Sequence, residues 1–214
     1  MPTGQPVPPA TRPADEPVVL SGPPSNVRGV VPVDNPGNQR LVVRGVIVHR
    51  DGAPDLTIST AVVVSPGARV SVPVTVSLPA GTPPGDIAAE LEVAGNRHPA
   101  VLRVEQQLAM RVSPAQVLAR PGQVAVELVV HNDGNVAIAL AREAHGYTRD
   151  DGDSVGPDIR LSLGNVGEVG PGAQVEVTAT LDVPADLAPY RRHEARIPVG
   201  LTDLAVVVLP RDPD

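Results

Sequence analysis

The chain has 214 residues, 42% of them apolar, a formal net charge of −7, no Cys, no Phe, no Trp and two Tyr. The length exceeds one ordinary sandwich of about 100 residues and suits two domains. The acidity and the lack of stacking rings argue against nucleic acid as a partner, and the missing thiols exclude disulfides and thiolate metal sites while leaving the redox compartment unread.

The apolar residues are dominated by 38 Val, set among 26 Pro and 20 Gly. Val is stiff at χ1 and fits a pleated, half-buried surface, so this composition predicts β-structure with aliphatic cores and no long helices. All 17 basic residues are Arg, a bias that points to a GC-rich, actinobacterium-like bacterial genome.

Residues 1–17 carry Pro2, Pro6, Pro8, Pro9, Pro13 and Pro17, and predict a disordered or extended leader. This stretch lacks the apolar run of a signal peptide, and the longest apolar run elsewhere, Leu204 to Leu209, is too short to span a bilayer. The expected location is cytoplasmic if Met1 is the true start and extracellular if the chain is a fragment, with no membrane insertion.

Folding is expected to begin near Val18. The letters His49-Arg50-Asp51-Gly52 resemble part of a kinase catalytic loop, but the other kinase motifs are missing, and the segment reads as a hairpin turn. Val70, Val72, Val74, Val76 and Leu78 alternate with Ser71, Pro73, Thr75 and Ser77, which is the period of a strand with one buried face. Pro73 cannot donate to a ladder, so that strand belongs at a sheet edge. Further on, Val124, Val126, Leu128 and Val130 alternate as far as the turn residues Asn132-Asp133-Gly134-Asn135, and Val136, Ile138 and Leu140 resume beyond it, a hairpin signal.

The chain repeats itself. V-S-P-G-A-R-V-S-V-P-V-T-V-S-L-P-A from Val64 matches V-G-P-G-A-Q-V-E-V-T-A-T-L-D-V-P-A from Val169 at an offset of 105. Upstream, Val33 to Asn38 (VDNPGN) matches Val130 to Asn135 (VHNDGN) at an offset of 97. The second copy therefore holds about eight extra residues between these landmarks, placed in the loop around Arg149 to Gly156. About seven strands per copy, at a spacing of roughly 8–12 residues, predict a Greek-key sandwich rather than a parallel sheet.

V-x-N-x-G-N, then P-G-x-x-V-x-V-x-V-x-x-P-A and a strand opened by Pro, resembles the bacterial immunoglobulin-like modules of the adhesion and hydrolase-associated type, the group that includes the CARDB domains. The resemblance covers residues 27 to 95 and 124 to 200. It implies an all-β chain of two tandem immunoglobulin-like Greek-key β-sandwiches: a leader over 1–17, sandwich 1 over 18–106, sandwich 2 over 107–210 with an acidic insertion near 149–158, and a tail over 211–214. The short segment from Arg103 to Met110, free of Gly and Pro, joins the two copies and is expected to restrict their relative angle. The resemblance also implies a tyrosine corner at Tyr190, which copy one lacks.

Among candidate sites, Gly152-Asp153-Ser154-Val155-Gly156 spells a nucleophile-elbow string, which requires an entering strand, a departing helix and partner acid and His groups. Its flanks supply no helix, so a hydrolase using Ser154 is the disfavoured reading and no catalytic residue is assigned. Asp150, Asp151, Asp153 and Asp158 form a candidate hard-cation cluster without the spacing of a calcium loop. His49, His98, His131, His145 and His193 show no chelating spacing, and no cofactor is implied. A carbohydrate platform is disfavoured because the only aromatic residues are Tyr147 and Tyr190.

The remaining reading is a non-catalytic pair of domains acting as spacer or assembly scaffold, with protein partners, self or other. Two alternatives stand beside it: a component of a phage-like or other cytoplasmically assembled particle, and an accessory or adhesion region of a cell-surface or secreted protein. Contact surfaces are expected at exposed sheet edges and at the loop of Arg149, Asp150, Asp151, Asp153 and Ser154.

Overall fold

The computed structural model describes residues 16–149, 155–164 and 167–210. The leader, the tail and most of the acidic insertion therefore lie outside the described residues. Two compact units emerge: residues up to Leu78 with Gly85–Glu105, and Pro79–Pro84 with the chain from Gln106 onward.

The first unit is built from β1 (Val18–Gly22), a single 3₁₀ turn (Pro24–Asn26), β2 (Val27–Asp34), β3 (Leu41–Arg50), β4 (Ala53–Val64), β5 (Arg69–Val76), β6 (Gly85–Val93) and β7 (Asn96–Val104). They run in the order β4-β3-β6-β7-β1-β2-β5. Alternate residues of β2 and β5, such as Val31, Val33, Val72 and Val74, meet Val46, Val48, Leu91 and Leu102 of β3, β6 and β7 in one aliphatic core. The strand order thus folds over on itself as two layers, with β1 bridging them: it pairs parallel with β7 and touches β2 through Ser21 opposite Arg28. Each fully buried Leu or Val contributes about 1.5–3 kcal/mol, which lets the unit cohere without aromatic rings.

The second unit comprises β8 (Met110–Ser113), β9 (Gln116–Ala119), β10 (Gly122–Asn132), β11 (Ile138–Ala139), β12 (Glu143–Arg149), β13 (Val155–Leu163), β14 (Glu168–Val169), β15 (Gln174–Val183), β16 (His193–Val199) and β17 (Thr202–Val208). Eight of them follow the order β8-β10-β15-β13-β12-β16-β17-β9, and β11 pairs with β14. Leu128, Ile159, Leu161, Leu181, Ile197 and Leu204 fill its core. Both units are immunoglobulin-like β-sandwiches, and no α-helix occurs among the described residues.

The repeat survives in three dimensions. Leu41 pairs with Val64 as Ile138 pairs with Val169, and Val33 with Val70 as Val130 with Val175. The copies diverge where side-chain volume changes. Gly164 lies against β15, its N–H donating to the Thr178 carbonyl at 2.8 Å, and a Cβ there would stand 2.8 Å from the same oxygen. At the same offset the first copy has Ser59, and β4 continues unbroken beside β3 instead of turning to pair with β5.

A second divergence lies at the start of each copy. In the second unit β8 pairs with Val129–Asn132 of β10, and the Asp133 N–H donates to Ala109. The corresponding positions of Val129 and Asp133 in the first copy are Pro32 and Pro36, which have no N–H to offer. Among the described residues β5 pairs with this stretch of β2 on one side, and no strand takes the place of β8 on the other.

Pro73 stands opposite Val30 on β5, the end strand of its sheet. The Asn35 N–H donates to Ala68, so bonded pairs fall at Val33 and Val31, and the nitrogen of Pro73 faces the free edge, as its missing donor requires.

One expectation is corrected. The turn from Asn132 to Asn135 does not close a hairpin, because β10 pairs with β8 and β15, whereas β11 pairs with β14. The turn is a crossover between layers, held by a side chain whose acceptor lies far along the chain.

Candidate interaction surfaces

Asn132 is 1% exposed. Its side-chain amide donates to the carbonyls of Val136 at 2.7 Å and Val169 at 2.9 Å, while its Oδ1 accepts the Gly134 N–H at 3.0 Å. Asn35 repeats this with Gln39 at 2.7 Å, Val64 at 2.9 Å and Gly37 at 3.2 Å. Every partner obeys the two sequence offsets. These buried amides tie one sheet layer to the other and belong to the scaffold.

Asp150, Asp151, Asp153 and Ser154 lie outside the described residues. Arg149 ends β12, pairs with Val155 and is followed on the far side by a strand, not a helix. The strand–turn–helix frame of a nucleophile elbow is therefore not the frame of this string. Gly156 is required by packing: a Cβ would fall against the Thr148 side chain and 2.9 Å from its carbonyl. Asp158 sits within β13 opposite Tyr147, and its Oδ2 lies 2.8 Å from His145 Nδ1. No group of three or more metal-ligating side chains is assembled among the described residues.

Charge on the outer faces is arranged as cross-strand pairs. Arg160 meets Asp182 at 2.8 Å, and this partner raises the guanidinium pKa. Arg103 grips Asp86 with two bonds of 2.9 and 3.1 Å, holding that carboxyl below its ordinary value. Solvent screens such exposed pairs, so they set register more than stability.

His49 is the centre of the richest cluster. Its Nε2 lies 3.1 Å from Glu92 and its Nδ1 3.0 Å from Asp55, linking β3 to β6 and β4. The two carboxylates sit on opposite sides of the ring, so they cannot share one cation with it. The hydrogen bond to Glu92, then that to Asp55, raises the His49 pKa above 6.5. A raised folded pKa adds stability in full below about pH 6.5, and this is lost as pH climbs through the folded value. Wild type should therefore lose more thermal stability than His49→Gln between pH 5.5 and 8.5, measured by circular dichroism; equal losses would refute the clamp.

Tyr190 is corrected outright. It is 79% exposed, so it packs into no corner. Tyr147 is exposed as well, at 56%. His193 is buried and bonds the Ala188 carbonyl at 3.0 Å, a structural turn role.

The sheet ends differ in how they are protected. In the second unit the end strands β8 and β9 have four residues each. In the first, β5 carries Pro73, whereas β4 is twelve residues long. Beside it, the cross-strand pair Val42 and Val63 stands 52% and 57% exposed.

The class defined by this architecture is a tandem immunoglobulin-like β-sandwich protein. No family model and no curated protein matches the chain. Solved structures that align with it include a protein of unknown function from Porphyromonas gingivalis W83, 14% identical over 90% of this chain and 96% of that one, with a TM-score of 0.31. The CupB2 chaperone of Pseudomonas aeruginosa aligns at 15% identity over 84% and 90%, TM-score 0.31. Domains 4 and 5 of the S-layer protein SbsC align at 13% identity over 80% and 100%, TM-score 0.34. The fold assignment rests on the strand order and buried faces above, not on these likenesses. No helix among the described residues is long and apolar enough to cross a membrane.

Proposed function

We propose that this chain is a non-catalytic interaction module, two sandwiches that present strand edges to protein partners as a spacer or assembly scaffold. The observation that supports this most is the contrast in sheet edges: the nine-residue stretch Leu56–Val64 of β4 is left open without charge or Pro, while the end strands of the second unit are short and β5 carries Pro73 within its ladder. The described groups with shifted pKa values all sit on exposed or half-exposed sheet faces in cross-strand pairs. That is the arrangement of structural ion pairs rather than of a catalytic cleft. The turn grammar shared by both copies supports a relation to the CARDB-like modules, and the Arg-only composition supports a bacterial source.

Cross-linking affinity capture from the source cells with the full chain tests the reading. A stoichiometric protein partner is the expected result. Capture of none, with the chain behaving as an isolated monomer, would overturn it.

A further inference from the structure

Three sheet edges in the first unit face no neighbouring strand among the described residues, and two are disabled by their own chemistry. The free edge of β2 has lost a donor at Pro32 and the turn after it another at Pro36, and the outer edge of β5 has lost one at Pro73. The third is β4. From Leu56 to Val64 it reads L-T-I-S-T-A-V-V-V, nine residues without charge, Pro or Gly. Its counterpart in the second copy, Leu161 to Val169, is interrupted by Gly164 and Gly167 and carries Glu168, and β13 is covered by strands on both sides.

β4 does bear two irregularities, register shifts that set Thr60 and Ala61 against Arg44, and Pro54 and Asp55 against His49. Bulges often turn an edge away. Here the alternation of exposed and sheltered residues runs unbroken from Leu56 to Val64, so Thr57, Ser59, Ala61 and Val63 remain aligned on the outer face. Val42 lies beside Val63 on that face, where the second copy has Ala139 beside Glu168. An apolar patch therefore adjoins the open edge in one copy only.

We propose that the outer edge of β4 pairs antiparallel with the same edge of a second copy of this chain, an inference that rests on the protein-interaction reading above. Charge and register support this occupant. On a chain of net charge −7, the uncharged Leu56–Val64 stretch lets two copies meet without opposing like charges, in a register that is self-complementary. A two-fold axis at Thr60 sets Thr57 opposite Val63 and Ser59 opposite Ala61. Near the start of the strand Asp55 falls opposite Ser65, so no carboxylate of β4 faces another. Pro73 bars β5 from receiving a strand, which stops growth into a fibre and leaves a closed dimer. A strand pairing of this size belongs with interfaces under about 1,200 Å², which associate in a concentration-dependent way.

Sedimentation velocity on the full chain up to about 200 µM should show a reversible dimer. Ser59→Lys/Ala61→Lys places lysines against lysines and should raise the dimer Kd about tenfold, whereas Ser59→Lys/Ala61→Glu sets opposite charges face to face and should restore dimerisation. Both sites are exposed, so the circular dichroism spectra should match wild type. Independently of any variant, hydrogen exchange of the Leu56–Val64 amides should slow as wild-type concentration rises. A wild-type monomer, a dimer indifferent to the paired lysines, no rescue by the Lys/Glu pair, or concentration-independent exchange would each overturn the proposal. A monomer that still captures a partner protein would overturn this pairing alone and leave the module role standing.

Discussion

Asn132→Ala should destabilise the second unit by roughly 3 kcal/mol, among the larger effects of any single change in this chain. The side chain is buried and makes three hydrogen bonds, two donated and one accepted. Removing it leaves the carbonyls of Val136 and Val169 and the N–H of Gly134 without their partner, and each unsatisfied buried group costs about 1–3 kcal/mol less whatever water recovers. Asn132→Asp separates the terms: it keeps the acceptor for Gly134 but turns carboxylate charge on two carbonyls, so it should be at least as damaging as Ala. Asn35→Ala should act in the same way on the first unit, through Gln39 and Val64. With no Trp for fluorescence, urea unfolding followed by circular dichroism, with hydrogen exchange to assign each transition to its unit, is the suitable measurement. A loss under about 1 kcal/mol for Asn132→Ala would mean that water replaces the amide and that it does not pin the layers.

These amides also show where reading the sequence reached its limit. Asn followed by Asp-Gly-Asn has turn chemistry, and local turn chemistry cannot distinguish a hairpin from a crossover, because the deciding acceptor, Val169, lies 37 residues further on. The repeat held the missing signal. Both copies keep Asn at this place, and the partner carbonyls sit at the two offsets already visible as a pattern of letters. By contrast, the edge position of β5 was legible from Pro73 alone, since a missing donor has one tolerable direction to face. Tyr190 failed as a corner because the expectation rested on family resemblance; neighbouring charge at Arg191 and Arg192 offers no apolar seat for the ring. The break between β13 and β14, where the first copy has one strand, was written in Gly164, although only its approach to Thr178 shows why a side chain cannot stand there. Of the candidate hard-cation cluster, Asp158 alone has a described side chain, and it is engaged with His145.

Gly134→Ala and Gly37→Ala should differ sharply although the two glycines occupy the same place in the repeat. A Cβ on Gly134 would fall on the Gln107 carbonyl oxygen and 2.9 Å from the Ala109 nitrogen, backbone atoms of the segment that docks along β10. That segment is fixed there by Gln107 N–H donating to Asn135 Oδ1 at 2.7 Å and by Asp133 N–H donating to Ala109 at 2.9 Å. It cannot yield without breaking these bonds, so the substitution should cost about 2–3 kcal/mol and speed exchange over Gln107–Ser113. At Gly37 the only neighbour is the Asn35 Oδ1 at 3.2 Å, because among the described residues no segment takes the place of β8 and its leading residues past the end of β2. Gly37→Ala should therefore change stability by less than about 1 kcal/mol, with the smaller backbone entropy of the unfolded Ala chain offsetting part of the contact. Equal losses at the two sites would mean that the first copy also seats a segment against β2, and that Pro32 and Pro36 do not keep that edge bare.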